Sequence, residues 1–127
     1  MRIGIIGGTG IYDFGNEALD IETPYGSVDI WYSKKGEHEI FFLPRHGKGH
    51  GIPPHMINYK ANIQALKNCK VECLIALSTV GSMRKEIKPG SIFIPSDFID
   101  FTKRRTTFFD DDAVHVDMSQ PFCPEVR

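Results

Sequence analysis

Short apolar runs separated by glycine and proline fill the first part of the chain, and their spacing predicts strands before it predicts any helix. Arg2-Ile3-Gly4-Ile5-Ile6 is β-branched, too short for a helix and stopped by paired glycines, which predicts a buried strand. Asp20 to Thr23 and Val28 to Ser33 flank Pro24-Tyr25-Gly26-Ser27, where proline and glycine sit as a turn requires, so a hairpin is expected. After Lys34-Lys35-Gly36-Glu37 a further strand is expected from His38 to Pro44, carried by Ile40-Phe41-Phe42-Leu43. Between Arg45 and Pro54 three glycines and two prolines break any continuous element and demand a loop. From Asn58 the period changes: Tyr59, Ile63 and Leu66 recur at helical spacing beside Ala61 and Ala65. That spacing predicts an amphipathic helix capped by Asn58, ending near Asn68, with Tyr59, Ile63 and Leu66 in the core. Cys73 to Leu77 predicts a second buried strand and Ser91 to Pro95 a third, separated by the turn Ile87-Lys88-Pro89-Gly90. Strand, helix and strand in that order predict a parallel crossover covered on both faces. The class is α/β, with an antiparallel part near the N-terminus.

Composition narrows the picture. A chain of 127 residues with 41% hydrophobic and 24% charged residues has the make-up of one globular domain rather than of a disordered segment. A net charge of −1 lacks the basic excess that extended nucleic acid selects, so nucleic acid is not an expected partner. Cys69, Cys73 and Cys123 are odd in number and match neither a disulfide framework nor a CxxC pair, which favours free thiols and the cytoplasm. Cys69 and Cys73 are expected as small packing residues rather than nucleophiles. No apolar stretch has membrane-spanning length, and neither a signal peptide nor a membrane anchor is expected. Lys103-Arg104-Arg105 is expected to be a solvated charge run balanced by Asp110-Asp111-Asp112.

Three loops carry the candidate chemistry, each following a short apolar run: Gly7-Gly8-Thr9-Gly10, Arg45-His46-Gly47 and Ser78-Thr79-Val80-Gly81-Ser82. Backbone N–H groups free of Cβ interference, hydroxyls and a guanidinium together suit a phosphate. Thr9, Ser78 and Thr79 supply the hydroxyls, Arg45 a planar fork of donors, and His46 a further donor or charge. Each piece alone has a plainer reading. Gly7 to Gly10 lacks both the GxGxxG spacing and a Walker lysine and fits a tight turn; Arg45 fits a surface ion pair; Ser78 and Thr79 fit a helix cap. Recurrence of all three at strand ends, where α/β proteins place ligands, favours the site. His46, His50 and His55 are not expected to bind metal, because Gly47 and Gly49 prevent helical alignment and no carboxylate or thiol stands at ligand spacing.

Six motifs in order, Gly4 to Gly10, Arg45-His46-Gly47, Asn58-Tyr59 with Ala61-Asn62-Ile63, Gly81-Ser82, Lys88-Pro89-Gly90 and Pro121-Phe122-Cys123-Pro124, resemble the N-terminal half of the S-methyl-5′-thioadenosine phosphorylases. The resemblance implies a phosphorylase/hydrolase-like fold with a mixed central sheet flanked by helices, of which residues 1–127 form the N-terminal portion of one domain. It implies phosphorolysis of S-methyl-5′-thioadenosine to adenine and 5-methylthioribose 1-phosphate, with inorganic phosphate as co-substrate and neither cofactor nor metal. By matching motif, Thr9, Arg45, His46, Ser78 and Thr79 bind the phosphate, and His115 reaches the substrate pocket of a neighbouring subunit in a homotrimer. Family members run to about twice this length. Their second half supplies a methionine near the sugar, a further phosphate threonine and an aspartate for the leaving purine, so no catalytic residue is assigned here and the chain is expected to be incomplete. Two alternatives stay open: a methylthioinosine or general purine nucleoside phosphorylase, and a noncatalytic phosphate-binding or interaction fragment.

Overall fold

The computed structural model describes residues 1–8, 16–105 and 107–127. These fall into two compact units, Met1–Val80 and Gly81–Arg127. The first unit holds a mixed five-stranded sheet of β1 (Arg2–Gly7), β2 (Glu17–Ile21), β3 (Val28–Lys35), β4 (His38–Pro44) and β5 (Cys73–Ala76), in the order β2-β3-β4-β1-β5. The antiparallel part, β2-β3-β4, lies to one side, and β1 pairs in parallel with both β4 and β5. The mixed sheet and its parallel and antiparallel divisions agree with the sequence reading.

Local chemistry explains the elements. The hairpin turn closes through reciprocal backbone bonds between Thr23 and Gly26, with Gly26 at φ 124, a conformation only glycine enters cheaply. Helix α1 (Tyr59–Asn68) starts where Asn58 Oδ1 accepts the Ala61 N–H at 3.0 Å, as the sequence predicts. Ala61, Ala65 and Leu66 of α1 pack with Val28, Ile30, Phe41, Leu43 and Cys69 to form the core on one sheet face. Phe42, fully buried, points to the opposite face, as strand alternation requires.

Several expectations change. Tyr59 and Ile63, expected in the core, are 40% and 38% exposed, and of the three large helical residues only Leu66 is buried. The helix turns its two alanines and Leu66 inward, because small side chains let it approach the sheet closely. Cys73–Ala76 forms its strand at the predicted place but is not buried on both faces: Leu74 and Ile75 are 43% and 40% exposed. β5 is the terminal strand of the sheet and lacks a covering layer inside its own unit, which accounts for that.

The second unit contains neither helix nor strand among its described residues. The predicted Lys88-Pro89-Gly90 turn is present, closed by the Ser91 N–H on Lys88 O at 3.1 Å with Gly90 at φ 86. The strand expected from Ser91 to Pro95 is absent, with Ile92 96% exposed. A strand exists only through a partner backbone, which this segment lacks inside its own unit. Arg105 Nε lies 3.0 Å from Asp110 Oδ1, in line with a solvated charge run balanced by its acidic neighbours. No helix among the described residues is long and apolar enough to cross a membrane.

Candidate phosphate site

Parallel pairing on both sides of β1 brings three loop starts to one sheet edge. Ile6 stands in register with Leu43 of β4 and Ala76 of β5, so Gly8, Arg45 and Ser78 each lie two positions beyond a shared row. The ladder continues past the strands: the Arg45 N–H donates to Gly7 O at 3.1 Å and the Leu77 N–H to Ile6 O at 2.8 Å. Ligands of open α/β sheets bind at such carboxyl ends, where connections depart to opposite sides.

Arg45 leans across that edge. Its Nη1 donates to Leu77 O at 2.8 Å and to Ser78 Oγ at 3.1 Å, so the β4 loop grips the β5 loop. With one nitrogen committed to the chain, the planar fork is fixed in orientation, and among the described residues no hydrogen bond engages its other N–H groups, which suits an anion.

His46 follows, buried at 7% exposure. Its Nδ1 lies 2.9 Å from Ile52 O, and because a carbonyl only accepts, Nδ1 carries a proton and is committed to the loop. The loop closes on this residue twice, since the Ile52 N–H donates back to His46 O at 2.8 Å. Gly47 at φ 73 permits the reversal, and His50, at φ 61, sets its ring 4.4 Å from the His46 ring.

Arg45, His46 and Ser78 open onto one cleft of about 590 Å³. Its other walls are Ile6 and Ala76 from the sheet, His50, Pro54 and Ile57 from the long loop, and Tyr59, Asn62 and Ile63 from α1. A cation and a hydroxyl at one wall with apolar and aromatic side chains at the others suit a ligand that is anionic at one end and largely apolar at the other. This is where Tyr59 and Ile63 went: the helical stripe that predicted core residues supplies a cleft wall instead. Pro54 and Ile57 are not singled out by the sequence, His50 is weighed there only as a metal ligand, and Asn62 stands there inside a motif with no role given to it. Asn62 carried a usable sign, being a polar residue on the same helical side as Tyr59.

The other sequence-chosen residues divide. Thr79 is exposed beside Ser78 and is not a wall of the cleft. Thr9 lies outside the described residues. His115 belongs to the second unit, in exposed irregular chain. Among the described residues no three His, Cys, Asp or Glu side chains gather in a group that could hold a metal ion. Cys69 is in the core, where burial pushes its thiol pKa up against a smaller opposing pull from Arg2, which suits packing rather than nucleophilic attack.

Comparison with known proteins gives a family match. The model of the phosphorylase superfamily matches residues 2–127. The chain is 49% identical to the 6-oxopurine nucleoside phosphorylase of Pyrococcus furiosus, the match covering 99% of this chain and 52% of that protein. It is 50% identical to a probable S-methyl-5′-thioinosine phosphorylase of Methanocaldococcus jannaschii, over 98% of this chain and 50% of the relative. It is 49% identical to the S-methyl-5′-thioadenosine phosphorylase of Nitrosopumilus maritimus, over 100% and 51%. Among solved structures, methylthioadenosine phosphorylase from Schistosoma mansoni in complex with tubercidin superposes with a TM-score of 0.90 at 34% identity, covering 98% of this chain and 48% of that one. The chain spans about half the length of the curated relatives it matches.

Proposed function

The chain belongs to the phosphorylase superfamily, and from that membership we propose that it is the N-terminal portion of a nucleoside phosphorylase domain acting on S-methyl-5′-thioadenosine. In phosphorolysis the bond between C1′ and the purine nitrogen breaks, its electron pair leaves with the base, and a phosphate oxygen forms the new bond to C1′. The sugar passes through an oxocarbenium-like state, so a fixed phosphate dianion both stabilises positive charge and attacks. Arg45, His46 and Ser78 hold that phosphate; Thr79 and Thr9 are assigned to it by motif alone. Inorganic phosphate is a co-substrate, and neither metal nor cofactor takes part. The active assembly is a cytoplasmic homotrimer in which His115 enters the substrate pocket of a neighbouring subunit.

One observation carries the reading. Arg45 is braced at 2.8 Å by Leu77 O and at 3.1 Å by Ser78 Oγ, above a cleft whose remaining walls are mostly apolar. An anion and a neutral thio-sugar nucleoside need those two surroundings side by side.

A second reading concerns the base, since relatives of nearly equal identity bear 6-oxopurine and methylthioinosine phosphorylase names. The test is product release from methylthioadenosine and from methylthioinosine, each with and without phosphate. Phosphate-dependent adenine release supports the proposal, and hypoxanthine release from the inosine substrate alone moves it to the second reading. Phosphate binding with no turnover of either substrate would leave a noncatalytic phosphate-binding module.

A further inference from the structure

We infer that Gly8 is a positioning residue for the phosphate arginine: its missing Cβ is the space in which the Arg45 guanidinium lies. The sheet order makes this necessary. Arg45 leaves the end of β4 but bonds to Leu77 O and Ser78 Oγ beyond β5, and β1 runs between those two strands. Adjacent strands are spaced roughly 4.8 Å apart, so the side chain spans about two strand spacings and must cross the end of β1. The residue it crosses is Gly8, which sits at the same level as Arg45 and Ser78 in the extended register.

The crossing is close. A Cβ built on Gly8 would lie 2.5 Å from Arg45 Nη2, 2.8 Å from Cζ and 2.9 Å from Nη1, all inside contact distance. The three distances are similar, so the guanidinium lies flat over Gly8 rather than touching it with one tip. Backbone freedom is not the reason for glycine, because Gly8 is absent from the positive-φ positions. Any other residue would push the fork off Leu77 O and Ser78 Oγ. The flexible Arg45 side chain can yield, so the backbone is not strained and the damage is confined to the fork's position.

The inference rests on the phosphate reading of Arg45, and a mutant cycle separates the two. Gly8→Ala, Arg45→Ala and the double variant are made in the full polypeptide, and each is titrated with inorganic phosphate and melted thermally. Gly8→Ala is expected to weaken phosphate by about tenfold or more, the scale of a charge-assisted hydrogen bond, with an unchanged melting temperature. In the Arg45→Ala background the same glycine change is expected to have no further effect, since nothing is left for the Cβ to strike. A merely structural role for Gly8 would lower the melting temperature and add to the Arg45 loss, which would overturn the inference. Unchanged phosphate affinity in Gly8→Ala, with Arg45→Ala weakened, would also overturn it while sparing the phosphate reading. Unchanged affinity in Arg45→Ala would overturn that reading itself.

Discussion

Asn58 holds the start of α1 with both ends of its amide, and replacing it separates two contributions. Oδ1 accepts the Ala61 N–H at 3.0 Å, and Nδ2 donates to Tyr25 O in the hairpin turn at 2.7 Å. At ten residues, α1 is too short to persist alone in water. Its cap and its packing therefore decide whether Tyr59, Asn62 and Ile63 stand at the cleft. Asn58→Ala removes a cap worth about 1 kcal/mol and an exposed hydrogen bond worth about 0.5 to 1 kcal/mol, a total near 2 kcal/mol. Asn58→Asp keeps the acceptor and places a negative charge at the helix N-terminus, which recovers about 0.3 to 1 kcal/mol while Tyr25 O loses its donor. The net cost of the aspartate is then below about 1 kcal/mol. Urea denaturation followed by circular dichroism, with equal slopes required of all variants, measures both values. Equal destabilisation by alanine and aspartate would refute the capping argument, and a loss under about 0.5 kcal/mol for alanine would refute both contributions.

Other consequences follow from the core. Leu66→Ala empties a side chain that is 2% exposed among Val28, Phe41 and Leu43, and is expected to cost about 2 to 5 kcal/mol by the same denaturation measurement. Ile63→Ala, on the cleft side of the same helix, is expected to cost far less stability while weakening nucleoside binding, which equilibrium dialysis would detect. The buried Cys69 thiol has a raised pKa, so the folded state favours its protonated form. Its contribution is intact below the ordinary thiol value of about 8.5 and falls away as pH rises through the higher folded value. Stability is expected to decline over that alkaline window, and to decline less in Cys69→Ala. An identical pH slope in the two proteins would count against it.

How far the sequence could be read depends on whether a feature is local. The strands ending at Gly7 and Pro44, the hairpin turn and the Asn58 cap depend on neighbours within a few residues, and the composition of each segment reveals them. The meeting of Arg45 and Ser78 is not local, yet it is inferable from loops recurring after strands, because parallel pairing carries the ends of β1, β4 and β5 to one edge. What escaped was the destination of apolar side chains. Periodicity marks the face Tyr59 and Ile63 share but does not say whether a core or a cleft lies beyond it. Leu74, Ile75 and Ile92 show the same limit: an apolar run predicts a strand, and only its partners decide whether it is covered or formed at all. The contact of Gly8 with Arg45 was equally hidden, since a glycine in a loop looks the same whether it serves a turn or makes room.

If the ends of β1, β4 and β5 grip one inorganic oxyanion, that anion can be seen in place. A crystal structure of the full polypeptide with phosphate and a non-cleavable thio-nucleoside tests it most directly. The anion is expected within hydrogen-bond distance of the Arg45 guanidinium and Ser78 Oγ, with the nucleoside lying along Tyr59 and Ile63. Phosphate bound elsewhere, with Arg45 still closed on Leu77 O and Ser78 and the cleft empty of anion, would contradict it.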